Sequence, residues 1–208
     1  MNKILRKTFI VVIALFFIGC KIPIKTMGQT YEEIMNDCKA NPEIKTGTTI
    51  DGQTISMKWI PEECIVGAPM PIFETQTING EKIDAAYFKN KMTIIIFWFE
   101  GCPPCIAKMP ALNKLKDKYG SKKINFLAIG KDSKEDIVSF LKENTFNFDM
   151  VANGESINRE VFQSPWGYPL TITVNKKGVI IDAYSGGKTE TTFPKIETLI
   201  VKELGLKK

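Results

Sequence analysis

Five cysteines and no histidine set the chemistry open to this 208-residue chain. Two of the cysteines stand three apart in Gly101-Cys102-Pro103-Pro104-Cys105. That spacing lets two thiols close a small disulfide ring, whose outer sulfur another thiol can attack. Without histidine there is no imidazole to activate a nucleophile and no His-containing metal site. A zinc site built on cysteine alone needs a second close pair, and Cys38 and Cys64 are far apart. A half zinc site is therefore the poorer reading, and no metal is expected.

The dithiol needs a scaffold, and the flanking residues describe one. An apolar, β-branched and aromatic run over residues 92–99, bounded by Lys91 and Gly101, predicts a strand buried on both faces. After Cys105, Ile106, Met109, Leu112 and Leu115 form a helical stripe. Pro103 and Pro104 suit a first helical turn, where a missing N–H costs nothing. Cys102 then falls near the N-cap and Cys105 one turn inside. The helix N-terminus favours a thiolate at Cys102, so Cys102 is expected to be the more acidic and more exposed thiol.

Phe97-Trp98, Cys102-Pro103-Pro104-Cys105 and Met109-Pro110 carry a resemblance. In order and spacing they resemble the Phe-Trp, Cys-x-x-Cys and Met-Pro of the thioredoxin superfamily. Within it they are similar to the membrane-tethered TlpA/ResA-like thiol–disulfide oxidoreductases. The likeness runs from about Val66 to the C-terminus. It implies an α/β thioredoxin-like fold, a central mixed sheet flanked by helices on both faces, with an N-terminal extension. It also implies Cys102 and Cys105 as the catalytic pair, with Pro103, Pro104, Trp98 and Pro110 in support. Pro110 falls where that family's active-site helix is kinked.

The stretch Gly167-Tyr168-Pro169-Leu170-Thr171 matches the family's cis-proline position. The residues alone fit an ordinary trans proline opening an edge strand. With the resemblance, Pro169 is expected cis and facing the disulfide, leaving room for a substrate strand to pair with the Tyr168 backbone. Trp98 reads as a packing residue beneath the site, and Glu100 as a solvated loop charge. The sequence also departs from the family. Gly101 replaces a common Trp, Lys108 replaces a common acid, and Ile96 stands where thioredoxin places a buried carboxylate. No acid that could serve the proton of Cys105 is visible at either place.

Length and a 44% apolar content allow one domain with a real core and something extra. The net charge of +5 is scattered, so no nucleic-acid partner is expected. Residues 1–20 read as a lipoprotein signal peptide. Lys3, Arg6 and Lys7 precede a short apolar run ending in Phe17-Ile18-Gly19-Cys20, which resembles a lipobox with Cys20 lipidated. An uncleaved signal anchor is the alternative. Lys21, in place of an aspartate, favours the outer membrane.

Residues 21–66 read as a tether with a small helix and hairpin, and residues 67–208 as the thioredoxin-like domain. A capping box at Thr30 and Glu33 opens a helix with Tyr31, Ile34, Met35 and Cys38 on one face. Asp51-Gly52 joins strands 48–50 and 53–59, and the whole piece is expected to pack on the main domain. A second hairpin, 72–83, turns at Asn79-Gly80 in type I′ geometry. Asp84 caps a short helix to residue 89. A strand at 124–129, a helix at 133–144, a strand at 148–151 and a helix at 155–162 follow. A hairpin over 170–184 and a helix over 193–204, opened by Pro194, close the chain.

Together these readings predict an extracytoplasmic thiol–disulfide oxidoreductase, lipid-anchored in the cell envelope and facing the periplasm. It needs no cofactor beyond its redox-active dithiol. Its partners are substrate protein disulfides and a membrane thiol relay that returns electrons. The resemblance favours a reductase, with a role in cytochrome c maturation or envelope repair. Two alternatives stand. A peroxiredoxin-type thiol peroxidase needs Pro-x-x-x-Thr-x-x-Cys, and Ile95 and Phe99 occupy those places before Cys102. A non-catalytic lipoprotein module leaves the paired cysteines without purpose. Cys38 and Cys64 remain either as a structural disulfide or as buried free thiols.

Overall fold

The computed structural model describes residues 28–120, 124–186 and 189–206, so Cys20 and the signal segment lie outside the described residues. In chain order the elements are α1 (Tyr31–Ala40), β1 (Glu43–Thr48), β2 (Thr54–Trp59), a 3-10 turn (Glu62–Ile65), β3 (Thr75–Gln76), β4 (Lys82–Ile83) and α2 (Ala85–Phe88). Then come β5 (Met92–Trp98), α3 (Pro103–Tyr119), β6 (Ile124–Gly130), α4 (Lys134–Glu143) and β7 (Asp149–Val151). A π-type turn (Ile157–Val161), β8 (Leu170–Val174), β9 (Ile180–Ser185) and α5 (Thr189–Leu204) follow.

The apolar run ahead of the dithiol becomes β5, the centre of a five-stranded sheet ordered β7-β6-β5-β8-β9. β5 pairs parallel to β6 and antiparallel to β8. All seven residues of β5 are buried, as a central strand covered on both faces requires. Its side chains alternate between two cores. Ile95 and Phe97 face the core that α1 closes, with Tyr31, Ile34, Met35 and Phe162. Ile94, Ile96 and Trp98 face the core built with α3 and α5, which holds Cys102, Cys105, Met109, Leu112, Ile196 and Ile200.

Several elements depart from the sequence reading. α5 begins at Thr189, ahead of Pro194, which lies inside it. The Thr198 hydroxyl donates to the Pro194 carbonyl at 2.8 Å. Proline is free of cost only in the first helical turn, so as the sixth residue of α5 Pro194 leaves one i→i−4 bond unmade. The Asn79-Gly80 turn is not type I′, because Asn79 keeps a negative φ and only Gly80, at +87°, is left-handed. Its strands shorten to two residues each because the Ile78 N–H turns away to the Met150 carbonyl, at 2.7 Å. The predicted helix 155–162 closes with a π-type i→i+5 bond, Phe162 N–H to the Ile157 carbonyl at 2.9 Å. Phe162 meets Tyr31, Phe73 and Phe97 edge-on, with centroids 5.2 to 5.9 Å apart.

The N-terminal piece divides. α1 buries Tyr31, Ile34, Met35 and Cys38 against the sheet. The β1–β2 hairpin does not pack on the domain. β1 is exposed throughout, and β2 is exposed except for the half-buried Trp59. A two-stranded ribbon has only one apolar row, and here Lys45 already lies 4.1 Å from the centroid of the Trp59 ring.

Candidate active site

β5 ends at Trp98, and four residues later the chain enters α3 at its N-cap, Cys102. The connecting loop is fixed at both ends. The Glu100 backbone N–H donates to the Asp132 carboxylate at 2.7 Å. The Lys131 N–H donates to the Trp98 carbonyl at 3.0 Å. Asp132 carried no motif in the sequence, and only its place just after β6 marks it.

Cys102 and Cys105 are joined as a disulfide, with Cα atoms 5.2 Å apart. Pro103 and Pro104 remove two of the four unpaired N–H groups of the first helical turn. The Cys105 N–H is thereby left pointing back at Cys102, 3.3 Å from its Sγ and 3.0 Å from its carbonyl oxygen. A thiolate on Cys102 would keep that donor and gain the positive end of α3. In the closed disulfide both cysteines are buried, whereas the exposure expected of Cys102 concerns the free thiol. Cys102 is 2% and Cys105 3% exposed in the closed disulfide, because the ring draws both sulfurs into the core around Trp98 and Met109. The exposed rim consists of Gly101, Pro103 and Pro104.

Of the other residues named from sequence, Trp98 and Tyr168 pack in the core that holds this ring. Trp98 is fully buried and meets Phe140 and Phe146 at 5.3 and 5.7 Å. Pro110 sits inside α3 on its exposed side. The Tyr168–Pro169 bond is cis. The Tyr168 ring stands edge-on to Phe99, 5.5 Å away, which brings the loop before β8 to the loop before α3. Cys38 and Cys64 are joined as a second disulfide, with Cα atoms 6.0 Å apart, and belong to the opposite core.

Two features of the site are more than the sequence motifs conveyed. Lys108 is 1% exposed, and burial pushes its ammonium down to about 8. It donates to the Gly186 carbonyl and stands 5.0 Å from the centroid of the Tyr184 ring. The signal was in the helical spacing, because position 108 falls between Cys105 and Met109 on the apolar stripe. Glu62 is also buried and accepts from the Ser185 backbone and hydroxyl. The N-terminal extension thus holds the end of β9 from the other side of the sheet.

A mixed five-stranded sheet, a disulfide at the first turn of the helix after its central strand and a cis-proline ahead of the antiparallel strand define a thioredoxin-like protein. The fold matches the thioredoxin domain of a thiol-disulfide oxidoreductase from Bacteroides vulgatus, with a TM-score of 0.57 at 22% identity, covering 65% of this chain and 97% of that one. Residues 66–206 match the AhpC/TSA family, and the chain belongs to that family. It is 30% identical over 128 residues to the thioredoxin-like protein YneN of Bacillus subtilis (strain 168), across 60% of this chain and 74% of YneN. It is 28% identical over 131 residues to the thiol-disulfide oxidoreductase ResA of Bacillus thuringiensis subsp. konkukian, across 62% of this chain and 75% of ResA. It is also 30% identical over 127 residues to the thiol:disulfide interchange protein DsbE of Pseudomonas fluorescens biotype C, across 59% of this chain and 67% of DsbE.

Proposed function

We propose that this protein is an extracytoplasmic thiol–disulfide oxidoreductase that reduces protein disulfides through Cys102 and Cys105. One observation carries the reading: the Cys102–Cys105 disulfide caps α3, with the Cys105 N–H aimed at the Cys102 sulfur. The names of the relatives ResA and DsbE support the same class of reaction. In the reduced protein the Cys102 thiolate attacks a substrate disulfide and expels one substrate sulfur as thiolate. Cys105 then attacks the Cys102 sulfur, closing the internal disulfide and releasing the second substrate thiol. The dithiol is the only prosthetic group this cycle needs. A membrane thiol relay re-reduces it. The rim of Gly101, Pro103 and Pro104, together with the Tyr168–Pro169 loop, forms the face on which a substrate strand docks, Pro169 offering no N–H to compete.

The basic, apolar and Gly19-Cys20 sequence of the first twenty residues supports a lipid anchor in the cell envelope. A second disulfide, Cys38–Cys64, fits an oxidising compartment such as the periplasm. Insulin reduction tests the activity. Cys102→Ala abolishes it, and Cys105→Ser accumulates mixed disulfides through Cys102. Labelling of Cys105 before Cys102 by an alkylating agent at mildly acidic pH would reverse the assignment. A peroxide-consumption assay on the same protein tests the thiol peroxidase alternative. Mass spectrometry of membrane fractions checks the anchor, where the expected species begins at lipidated Cys20 and an intact Met1 removes it.

A further inference from the structure

The second half of that cycle needs the Cys105 proton to leave, and Ile96 and Lys108 stand at the two positions where the resemblance would place an acid. What the site holds instead is a buried lysine. Lys108 lies one turn beyond Cys105 on the inward face of α3, where side chains three apart have Cβ atoms about 5–6 Å apart. Helical side chains lean toward the N-terminus, so the Lys108 stem leans toward Cys105. In the disulfide form its Nζ donates to the Gly186 carbonyl, and the Gly186 N–H donates to the Pro169 carbonyl at 2.8 Å. The ammonium therefore sits where α3, the end of β9 and the cis-proline loop meet.

Among the described residues, the titratable and charged groups near it come from α3, β9 and α5. On α3 itself they are Cys102 and Cys105. β9 presents Tyr184 and Asp182, and α5 presents Lys195. Asp182 is committed to Lys195 through a 2.8 Å contact, and Lys195 in turn lies 4.6 Å from the centroid of the Tyr184 ring. Glu62 reaches Ser185 from the opposite core. Among the described residues the recorded partners of the Lys108 ammonium are the Gly186 carbonyl and the Tyr184 ring, neither of them a carboxylate.

We propose that Lys108 is the proton acceptor for Cys105 when the mixed disulfide is resolved. The inference rests on the thiol–disulfide activity proposed above. The neutral Lys108 amine takes the proton from the Cys105 thiol. The Cys105 thiolate attacks Cys102 Sγ, the Cys102–Cys105 bond forms, and the bond from Cys102 to the substrate sulfur breaks. The electron pair of that bond leaves on the substrate sulfur, which is reduced while the two cysteines are oxidised. The Lys108 ammonium then returns its proton to the departing thiolate or to water. Burial lowers the proton affinity of the amine from the ordinary lysine value toward the range of an ordinary thiol, which suits it to act as a base toward one.

A single-turnover reaction of the reduced protein with a chromogenic diaryl disulfide separates the steps. The first aryl thiolate appears when Cys102 attacks, and the second when Cys105 resolves. Lys108→Met and Lys108→Arg are compared with wild type between pH 6 and 9. The expected result is a first release within about threefold of wild type in both variants, which also reports that they fold. The second release falls at least tenfold in both, and the pH dependence that wild type shows near the Lys108 titration is lost. A second release unchanged in Lys108→Met overturns the proposal. Restoration of the second release by Lys108→Arg also overturns it, since arginine supplies charge but cannot accept a proton. Absence of both releases in wild type defeats the underlying activity instead, so the two failures are distinct.

Discussion

Lys108 shows how one residue can oppose stability and still be retained. Its ammonium is stripped of water on folding and recovers only the Gly186 carbonyl and the Tyr184 ring, so folding lowers its proton affinity. The folded value of about 8 lies below the ordinary 10.5. Between those two pH values the unfolded chain binds more protons, so stability rises as pH rises through the window. Below pH 8 both states are protonated and the cost is present in full. Lys108→Met should therefore stabilise the protein at pH 7 by on the order of 1–3 kcal/mol. The gain should fade between pH 8 and about 10 in denaturant titrations followed by fluorescence. A gain that stays constant up to pH 10 would show that packing, not charge, governs the effect. Above pH 10 the buried Tyr31 and the half-buried Tyr87, whose hydroxyls resist ionisation in the fold, cost the folded state stability of their own and end the usable range.

At the scale of elements, the second disulfide joins α1 to the 3-10 turn at Glu62–Ile65. It closes a loop of 26 residues that contains the solvent-exposed β1–β2 hairpin. Such a loop has large freedom when unfolded, so the bridge contributes about 3 kcal/mol in the chain-entropy picture. Cys38→Ser should lower the melting temperature by roughly 5–10 °C and leave insulin reduction nearly intact. Two free thiols on unreduced, denatured protein, counted after the active-site pair has been blocked, would mean that the bridge does not form in solution.

The same scale shows what the sequence could convey. β5, α3, β6 and α4 were legible because burial period, caps and prolines agree within each segment. Ser133 caps α4 and Asp84 caps α2 through their own side chains. The start of α5 was not legible, because Pro194 is an equally good first residue and the preceding threonines carry no apolar stripe. The hairpin's isolation was not legible either, since alternation reads the same whether or not a partner covers it. In the site, Cys102, Cys105, Tyr168 and Pro169 could be named from local motifs. Asp132, Glu62 and the carbonyl of Gly186 could not, because their roles arise from contacts between segments far apart in sequence.

For the molecule as a whole, the extension before Val66 belongs to the working face. Trp166 donates from its indole N–H to the Ile60 carbonyl at 2.7 Å, and Glu62 grips Ser185. Both contacts bracket the Tyr168–Pro169 segment. The second core beneath α1 thus holds the loop that meets the dithiol.

The division into two cores has an electrochemical consequence. Cys38 and Cys64 belong to one core, Cys102 and Cys105 to the other, and the five-stranded sheet stands between them. The sheet acts as an insulating wall between two redox couples carried by one chain. A nascent thiolate on Cys102 has no path to the other sulfurs while the strands stay paired, so the protein can be charged and discharged repeatedly without scrambling its own wiring. Peptide mapping after many turnovers should find only the two native pairings, and a cross-paired Cys38–Cys102 or Cys64–Cys102 peptide would mean that the wall is breached during the cycle.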